Sequence, residues 1–185
     1  MFMPRNIELK TFPEGVRLVQ SPIKEIESLR AVSKNAAGIS FEGIWKAEKI
    51  RPSKNNYELL VEIQNIDAEE FGLKLAVGNN QQTIIGYNFT EEKIYVDRRN
   101  SGLNSFSDLF PQKNSGPLKN RNNTVKPHIF LDNSSVEVFA NDGETVISSK
   151  IYPDASSTGI EFFSNKGKVV IKSVKMWELK SIQLD

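Results

Sequence analysis

Alternation of apolar and polar residues with a period of two constrains the fold of this 185-residue chain more than any other feature. In residues 57–64 an apolar series that starts at Tyr57 alternates with a mostly polar series, and residues 71–78 repeat the pattern. Because successive side chains of a strand point to opposite faces, both segments predict strands with one buried face. The turn residues Gly78-Asn79-Asn80 lead into a third run at 83–87, which predicts an antiparallel meander.

The same period recurs along most of the remaining chain. Turn-forming residues lie between several of the extended runs, and we expect hairpin turns at 13–15, 132–134, 141–143 and 165–167. The further runs occupy residues 7–11, 16–21, 39–46, 93–97, 125–131, 136–140, 145–151, 159–163 and 168–177.

One helical signal interrupts the strands. Ser21-Pro22 is typical of a helix start, and Ile23, Ile26 and Leu29 follow at three-residue spacing, so we expect one short N-terminal helix. Long amphipathic helices are missing, which excludes a parallel βαβ topology. The pattern predicts an all-β fold, a two-sheet antiparallel β-sandwich of the jelly-roll or concanavalin-like type with about a dozen strands, formed by residues 1–185 as a single domain.

Composition excludes several classes of function. With 24 Lys and Arg against 23 Asp and Glu, the net charge is +1, so we expect neither a nucleic acid nor a membrane as partner. The chain has no cysteine and a single histidine, His128, and the turn carboxylates Asp132 and Asp142 lack the spacing of a calcium loop. We predict no metal and no cofactor. Residues 1–5 have no signal-peptide core, so we expect a soluble chain whose compartment is left open.

The carboxylates do not predict a glycosidase active site by themselves. Hydrolysis of a glycosidic bond needs two carboxyl groups across a cleft, one of them with a raised pKa. Glu58 and Glu62 fall on the polar side of a strand, and the adjacent pairs at 69–70 and 91–92 point to opposite faces, so we expect solvated surface charges. His128 shares its strand face with an aromatic residue, and a structural role is favoured for it. We predict no catalytic residue in this chain.

Sugar binding needs only a flat aromatic face with amide or carboxylate groups beside it. Aromatic residues on strands are more often packing residues than ligand platforms, so this interpretation stays an alternative. The candidate platforms are Trp45, Tyr57, Tyr87, Tyr95 and Trp177.

Residues 98–124 form a long polar and locally basic segment, which the period of two does not explain. Connections of this length usually bind or cover something, or are disordered. One interpretation is a compact loop with Phe106, Leu109 and Phe110 packed beneath it. The other is a docking surface for another domain or subunit, where arginine and aromatic residues are favoured.

Four strings in this sequence occur in the order of one known family. Residues 3–9, 15–30 and 95–102 resemble, in turn, its opening Pro-Arg-Glu-Leu segment, its following strand with a short helix, and its Asp-Arg-x-x-Ser-Gly pattern. Residues 128–144 are similar to its most recognisable hairpin. The family is the C-terminal β-sandwich of glycoside hydrolase family 32, the levanases, inulinases and invertases, and the resemblance runs from about residue 4 to Trp177.

The resemblance implies a β-sandwich appended to a five-bladed β-propeller that carries the catalytic carboxylates. None of the propeller's motifs is present here: the chain has no cysteine for a Glu-Cys motif, and Tyr152-Pro153-Asp154 is not Arg-Asp-Pro. The resemblance therefore implies a non-catalytic module of a fructan- or sucrose-hydrolysing glycosidase, which we expect to be inactive alone.

The expected role is to stabilise or dock the family 32 propeller, in cis or in trans, and homo-oligomer formation is a further expected role. A stand-alone fructan-binding module is the alternative. Arg98, Arg99 and Ser101, which begin the long basic segment, are the candidates for positioning that loop or meeting a partner. The competing interpretation of these residues is a self-contained Asp-Arg turn.

Overall fold

The computed structural model describes residues 3–180, which form antiparallel strands and two short 3₁₀ helices. None of the helices in this part of the chain is long and apolar enough to cross a membrane. The strands are β1 (Arg5–Phe12), β2 (Gly15–Pro22), β3 (Arg30–Lys46), β4 (Tyr57–Asn65), β5 (Glu70–Gly78), β6 (Gln81–Asn88), β7 (Lys93–Asp97), β8 (Lys113–Pro117), β9 (Thr124–Val125), β10 (Pro127–Asp132), β11 (Ser135–Ala140), β12 (Thr145–Lys150) and β13 (Gly159–Leu179).

Two long strands, β3 and β13, belong to both layers of the fold. The C-terminal half of β13 pairs with β4 and its N-terminal half pairs with β5, while β3 follows β13 along its other side. Layer one has the strand order β12-β11-β10-β4-β13-β3, and layer two has the order β8-β7-β6-β5-β13-β3. The predicted two-sheet antiparallel β-sandwich is confirmed, and β3 is the outer edge of both layers.

The chain crosses from one layer to the other at residues 165–167, where a hairpin turn was expected. That prediction is wrong because β13 does not reverse there. Lys166 (φ 54°) and Gly167 (φ 144°) place a bend with a register shift between Ser164 and Val169, and pairing with β3 resumes beyond it. Turn-type residues thus mark a bulged corner in a continuous strand.

The core lies between the two layers and follows the predicted alternation. Tyr57, Leu59, Val61 and Ile63 of β4 are at most 2% exposed, and they share one apolar cluster with residues from β5 in the opposite layer such as Leu73. Each Å² of apolar surface removed from water contributes about 25 cal/mol, so this cluster is the main source of the stability of the fold.

The N-terminal segment adds a small second apolar cluster outside layer one. The predicted short helix is present as a 3₁₀ helix at Lys24–Leu29. Its N-cap is Ile23, which makes no side-chain capping hydrogen bond, so the predicted Ser21-Pro22 cap was wrong. Ile26 and Leu29 pack with Phe130 and Phe139 of the sheet. The second 3₁₀ helix, Glu48–Ile50, was not predicted.

The ribbon formed by β1 and β2 is a separate two-stranded sheet attached to layer one. It joins the turn after β11 through the Gln20 amide, which donates to the Gly143 carbonyl at 3.1 Å. A Cβ at Gly143, whose φ is +87°, would lie 1.9 Å from the Gln20 carbonyl oxygen, so only glycine permits this approach.

Replacing the glycine of the corner should weaken the whole sandwich. A Cβ at position 167 would lie 2.5 Å from the Asp67 carbonyl oxygen, and the positive φ adds backbone strain. We expect Gly167→Ala to lower the free energy of unfolding by about 2 to 4 kcal/mol in urea titrations. Lys172→Ala, exposed on the same strand, is the control and should stay within about 0.5 kcal/mol. Equal stability of both variants would contradict the corner's importance.

Candidate interaction surface

Glu58 is fully buried, although the alternation predicted a solvated side chain. Arg30 donates two hydrogen bonds of 2.7 Å to it, from Nε to Oε2 and from Nη2 to Oε1. His128 Nε2 lies 2.7 Å from Oε1, and the Arg30 guanidinium stacks on the Trp177 indole at 4.1 Å. The side chain therefore faces away from the core as predicted, but a charged cluster covers it.

The environment of Glu58 suits a structural carboxylate. Burial alone raises the pKa of the Glu58 carboxyl, but hydrogen bonds and charges from Arg30 and His128 outweigh burial and hold the pKa below its ordinary value. An acid that protonates a glycosidic oxygen needs a raised pKa instead. His128 also packs on Phe130 with ring centroids 4.7 Å apart, in the structural role expected for it. Within residues 3–180 no three His, Cys, Asp or Glu side chains converge as metal ligands would.

Asp97 and Arg99 close a local turn where the long basic segment begins. The Arg99 backbone N–H donates to Asp97 Oδ1 at 3.0 Å, and its Nε donates to the same oxygen at 2.9 Å. Burial raises the pKa of the Asp97 carboxyl, but the hydrogen bonds and the charge of Arg99 outweigh burial. The pKa of Asp97 therefore lies below its ordinary value. The Arg99 side chain remains 63% exposed. The self-contained Asp-Arg turn is therefore present, with Arg99 rather than Arg98 as its arginine.

Arg98 and Ser101 bind the start of the loop to the neighbouring chain. Arg98 Nη1 donates to the Lys150 carbonyl at 3.2 Å, and its guanidinium lies 4.2 Å from the centre of the Phe110 ring. Ser101 is buried, and its Oγ donates to the Arg98 carbonyl at 2.9 Å. The Tyr152 amide donates to the Ser101 carbonyl at 3.2 Å, which ties the loop to the segment after β12.

Three rings, Phe106, Phe110 and Tyr152, form a loop aromatic cluster. Phe106 and Phe110 lie 4.6 Å apart, and Tyr152 lies 5.7 and 5.6 Å from them. The expectation that Phe106 and Leu109 pack beneath the loop is wrong, because their side chains are 57% and 80% exposed. Leu103, in the same loop, is also exposed, at 63%. The segment at 98–124 also contains the edge strand β8. It was not predicted because its sequence, Lys-Asn-Ser-Gly-Pro, is polar and has no alternating apolar residues.

The β1–β2 ribbon presents a second exposed apolar surface. Ile7 and Leu9 of β1 and Val16 and Leu18 of β2 lie on one face of the ribbon, with Leu9 opposite Leu18, and all four are at least half exposed. The alternation of these residues predicted two strands with one buried face. The same alternation is also typical of an exposed apolar face that binds a partner. Nothing in the described residues covers this face.

Strand β12 brings the ribbon and the loop to one flank of layer one. Arg5, at the start of the ribbon, donates to Ser148 Oγ and to Glu137 Oε2, both at 2.6 Å. Arg98 donates to the carbonyl of Lys150, the last residue of β12, and Tyr152 of the loop aromatic cluster comes two residues later in the chain. Since an extended chain advances about 3.3 Å per residue, Ser148, which binds the ribbon, and Tyr152 of the aromatic cluster are roughly 13 Å apart along the chain. We call the surface that carries both apolar patches the β12 flank.

The predicted sugar platforms are mostly occupied by packing. Tyr57, Tyr87 and Tyr95 are at most 6% exposed, and Trp177 lies against Arg30. Trp45 is half-buried and lines a recess at the edge of β3.

The family model described as Glycosyl hydrolases family 32 C terminal matches residues 20–178, and the chain belongs to this family. The resemblance identified from the sequence motifs is confirmed. The chain is the C-terminal β-sandwich domain of this family, a module of larger proteins.

Individual relatives agree with this assignment. Levanase of Bacillus subtilis (strain 168) is 41% identical over 192 residues, which cover 97% of this chain and 27% of that protein. Sucrose-6-phosphate hydrolase of Staphylococcus xylosus is 30% identical over 171 residues, or 90% of this chain and 33% of the hydrolase. The crystal structure of exo-inulinase from Aspergillus awamori superposes with a TM-score of 0.85 at 28% identity, covering 97% of this chain and 36% of the inulinase. The chain thus spans about a third or less of these two curated relatives.

The buried cluster predicts a pH-dependent loss of stability. Glu58→Gln removes the buried carboxylate of Arg30 and leaves it only the exposed Glu27 at 3.4 Å, so we expect the free energy of unfolding to fall by about 2 to 4 kcal/mol near pH 7. Because the native pKa of Glu58 lies below 4.5, its contribution is complete at higher pH and is lost as the pH falls through the native value.

Urea titrations of wild type and variant at about pH 7 and about pH 3 measure this difference, which should shrink at the lower pH. Glu62→Gln, on the same strand and the same face, is the control and should change stability by no more than about 0.5 kcal/mol. If the difference in stability between wild type and Glu58→Gln were the same at both pH values, the ionised carboxylate of Glu58 would not be its source.

Proposed function

We propose that this chain is a single, non-catalytic module that docks the catalytic domain of a fructan- or sucrose-hydrolysing glycosidase and stabilises it. The observation that carries the proposal is the β12 flank, where two apolar patches lie along one edge of a sandwich that already has a complete core of its own. The names of the relatives, a levanase, an exo-inulinase and a sucrose-6-phosphate hydrolase, support this substrate class.

The chemistry of the β12 flank suits a protein partner. Apolar surface at Leu9 and Leu18 on the ribbon and at Phe106 and Leu109 on the loop would leave water on docking, which contributes about 25 cal/mol per Å². Clusters of exposed apolar side chains are typical of interaction sites. The resemblance of the sequence to family 32 makes a β-propeller the partner we propose, in cis or in trans.

Arg98, Arg99 and Ser101 have separate roles in this proposal. Arg98 and Ser101 position the loop through their contacts with Lys150, Phe110 and Tyr152. Arg99 keeps an exposed side chain beside the patch, and arginine is a favoured residue at interfaces. We infer that Arg99 contacts the partner and that the other two hold its loop in place.

Docking can be measured with the remaining part of the Bacillus subtilis levanase, expressed without its matched segment and shown to be folded by circular dichroism. We expect the chain to bind it in analytical ultracentrifugation. Leu9→Ser combined with Leu18→Ser should weaken binding at least about tenfold, because the facing pair is half to three-quarters exposed in the free chain.

The control is Val32→Ser combined with Ile44→Ser, a pair that is similarly exposed on β3 at the opposite edge. It should bind as wild type does. Equal effects of the two double variants would show that the β12 flank is not the docking surface. Self-association through this flank is the competing outcome, and concentration-dependent dimers of the chain alone that exclude the levanase part would favour it.

The non-catalytic part of the proposal has its own test. The purified chain should release no fructose from levan, inulin or sucrose, since Glu58 is held ionised by Arg30 and His128. A chromatographic assay of free fructose measures this. Release that grows with protein concentration would contradict the absence of catalysis, and its loss in Glu58→Gln would assign the activity to Glu58.

Binding of carbohydrate by this module is the second candidate function. The observation that favours it is the half-buried Trp45, which lines a recess at the edge of β3.

A further inference from the structure

A recess of about 480 Å³ opens at the free edge of β3, on the opposite side of layer one from the β12 flank. Its lining residues lie on both sides of the bend in β3, where pairing with β13 shifts between Phe41 and Gly43 (φ 79°). Its volume falls within the range of about 300 to 1,000 Å³ that ligand pockets occupy.

Trp45 forms an aromatic wall of this recess. Its indole rests against Phe162 and Phe41, with ring centroids 5.3 and 6.4 Å away, so packing holds it in place. Ala36 also lines the recess and packs against the same apolar cluster as Trp45, so the side chain next to the indole on this face of β3 is small. A fixed aromatic surface beside an open slot suits a flat apolar ligand face.

The rim of the recess is polar and offers both donors and acceptors. Asn35 contributes an amide, Glu48 a carboxylate, and Lys46 and Lys49 ammonium groups. The Glu48 carboxylate lies 3.7 Å from Arg51 in an exposed ion pair, which leaves it open to solvent. An anion would need donors only, whereas a ligand rich in hydroxyl groups uses an amide, a carboxylate and ammonium groups together.

We propose that this recess, the Trp45 recess, binds a neutral oligosaccharide, with one sugar ring against the indole and its hydroxyl groups on the rim. Sugar rings combine an apolar face with peripheral hydroxyl groups, which matches this combination of wall and rim. The site lies on the edge opposite the β12 flank, so a domain docked on that flank leaves it open. A saccharide can therefore reach Trp45 whether or not a domain is docked on that flank.

Nuclear magnetic resonance of the indole N–H groups tests this inference directly. The chain has two tryptophans, so it gives two indole signals, which Trp177→Phe assigns. The probes are β-2,1-linked and β-2,6-linked fructotriose, maltotriose and cellotriose, each added to about 10 mM. We expect at least one to shift the Trp45 signal saturably, while Trp177, stacked under Arg30, serves as the internal control.

Ala36→Phe, on the same face of β3 as Trp45, should fill the space beside the indole and weaken the response at least about tenfold. Ala31→Phe, at an exposed position on the same strand outside the recess lining, is the matched control and should respond as wild type does. Thermal melts of both variants check that they are folded. The absence of a saturable Trp45 shift with every saccharide, or equal binding by the two variants, would overturn the proposal. A shift caused by inorganic phosphate and by no saccharide would identify an anion site instead and overturn it as well.

Discussion

The fold depends on one pair of strands, β3 and β13, that runs through both layers. Because β13 exchanges β5 for β4 as its partner at the corner of residues 165–167, neither layer can form its full set of hydrogen bonds without the other. The shared strands also hold the two layers around one apolar cluster. A break at this corner would therefore affect the core and both sheets at once.

The shared strands also divide the surface of the sandwich into two edges with different chemistry. The β3 edge carries the Trp45 recess, with a polar rim and an aromatic wall. The β12 flank carries the apolar ribbon and the loop aromatic cluster. Two arginines fix the flank, since Arg5 pairs with the buried Glu137 at one end and Arg98 donates to the Lys150 carbonyl at the other. A module built this way can meet a protein on one side and a small ligand on the other.

Sequence alone predicted the parts that follow from local chemistry. The alternation that starts at Tyr57 identified the core strand, and the turn at Gly78-Asn79-Asn80 lies where it was expected. The corner at 165–167 was misassigned because the same residues favour a reversal or a bulge, and pairing with β3 decides between them. Residue type fails to separate a solvated carboxylate from a covered one, so the burial of Glu58 by Arg30 was missed.

The candidate site was only half visible in the sequence for the same reason. Arg98, Arg99 and Ser101 were proposed from their motif and the charge of their segment, but the exposure of Leu9 and Leu18 depends on where the ribbon attaches. Distant residues such as Tyr152 join the loop only through tertiary contacts. Patterns with a period of two show that a face is apolar, and they do not show which partner covers it.

Hydrogen–deuterium exchange of the chain, with and without a folded family 32 catalytic domain, tests the central claim most directly. The account predicts that protection appears in residues 5–22 and 98–112 and leaves the β3 edge unchanged. Protection concentrated on β3, or none anywhere while the two proteins remain bound, would contradict it.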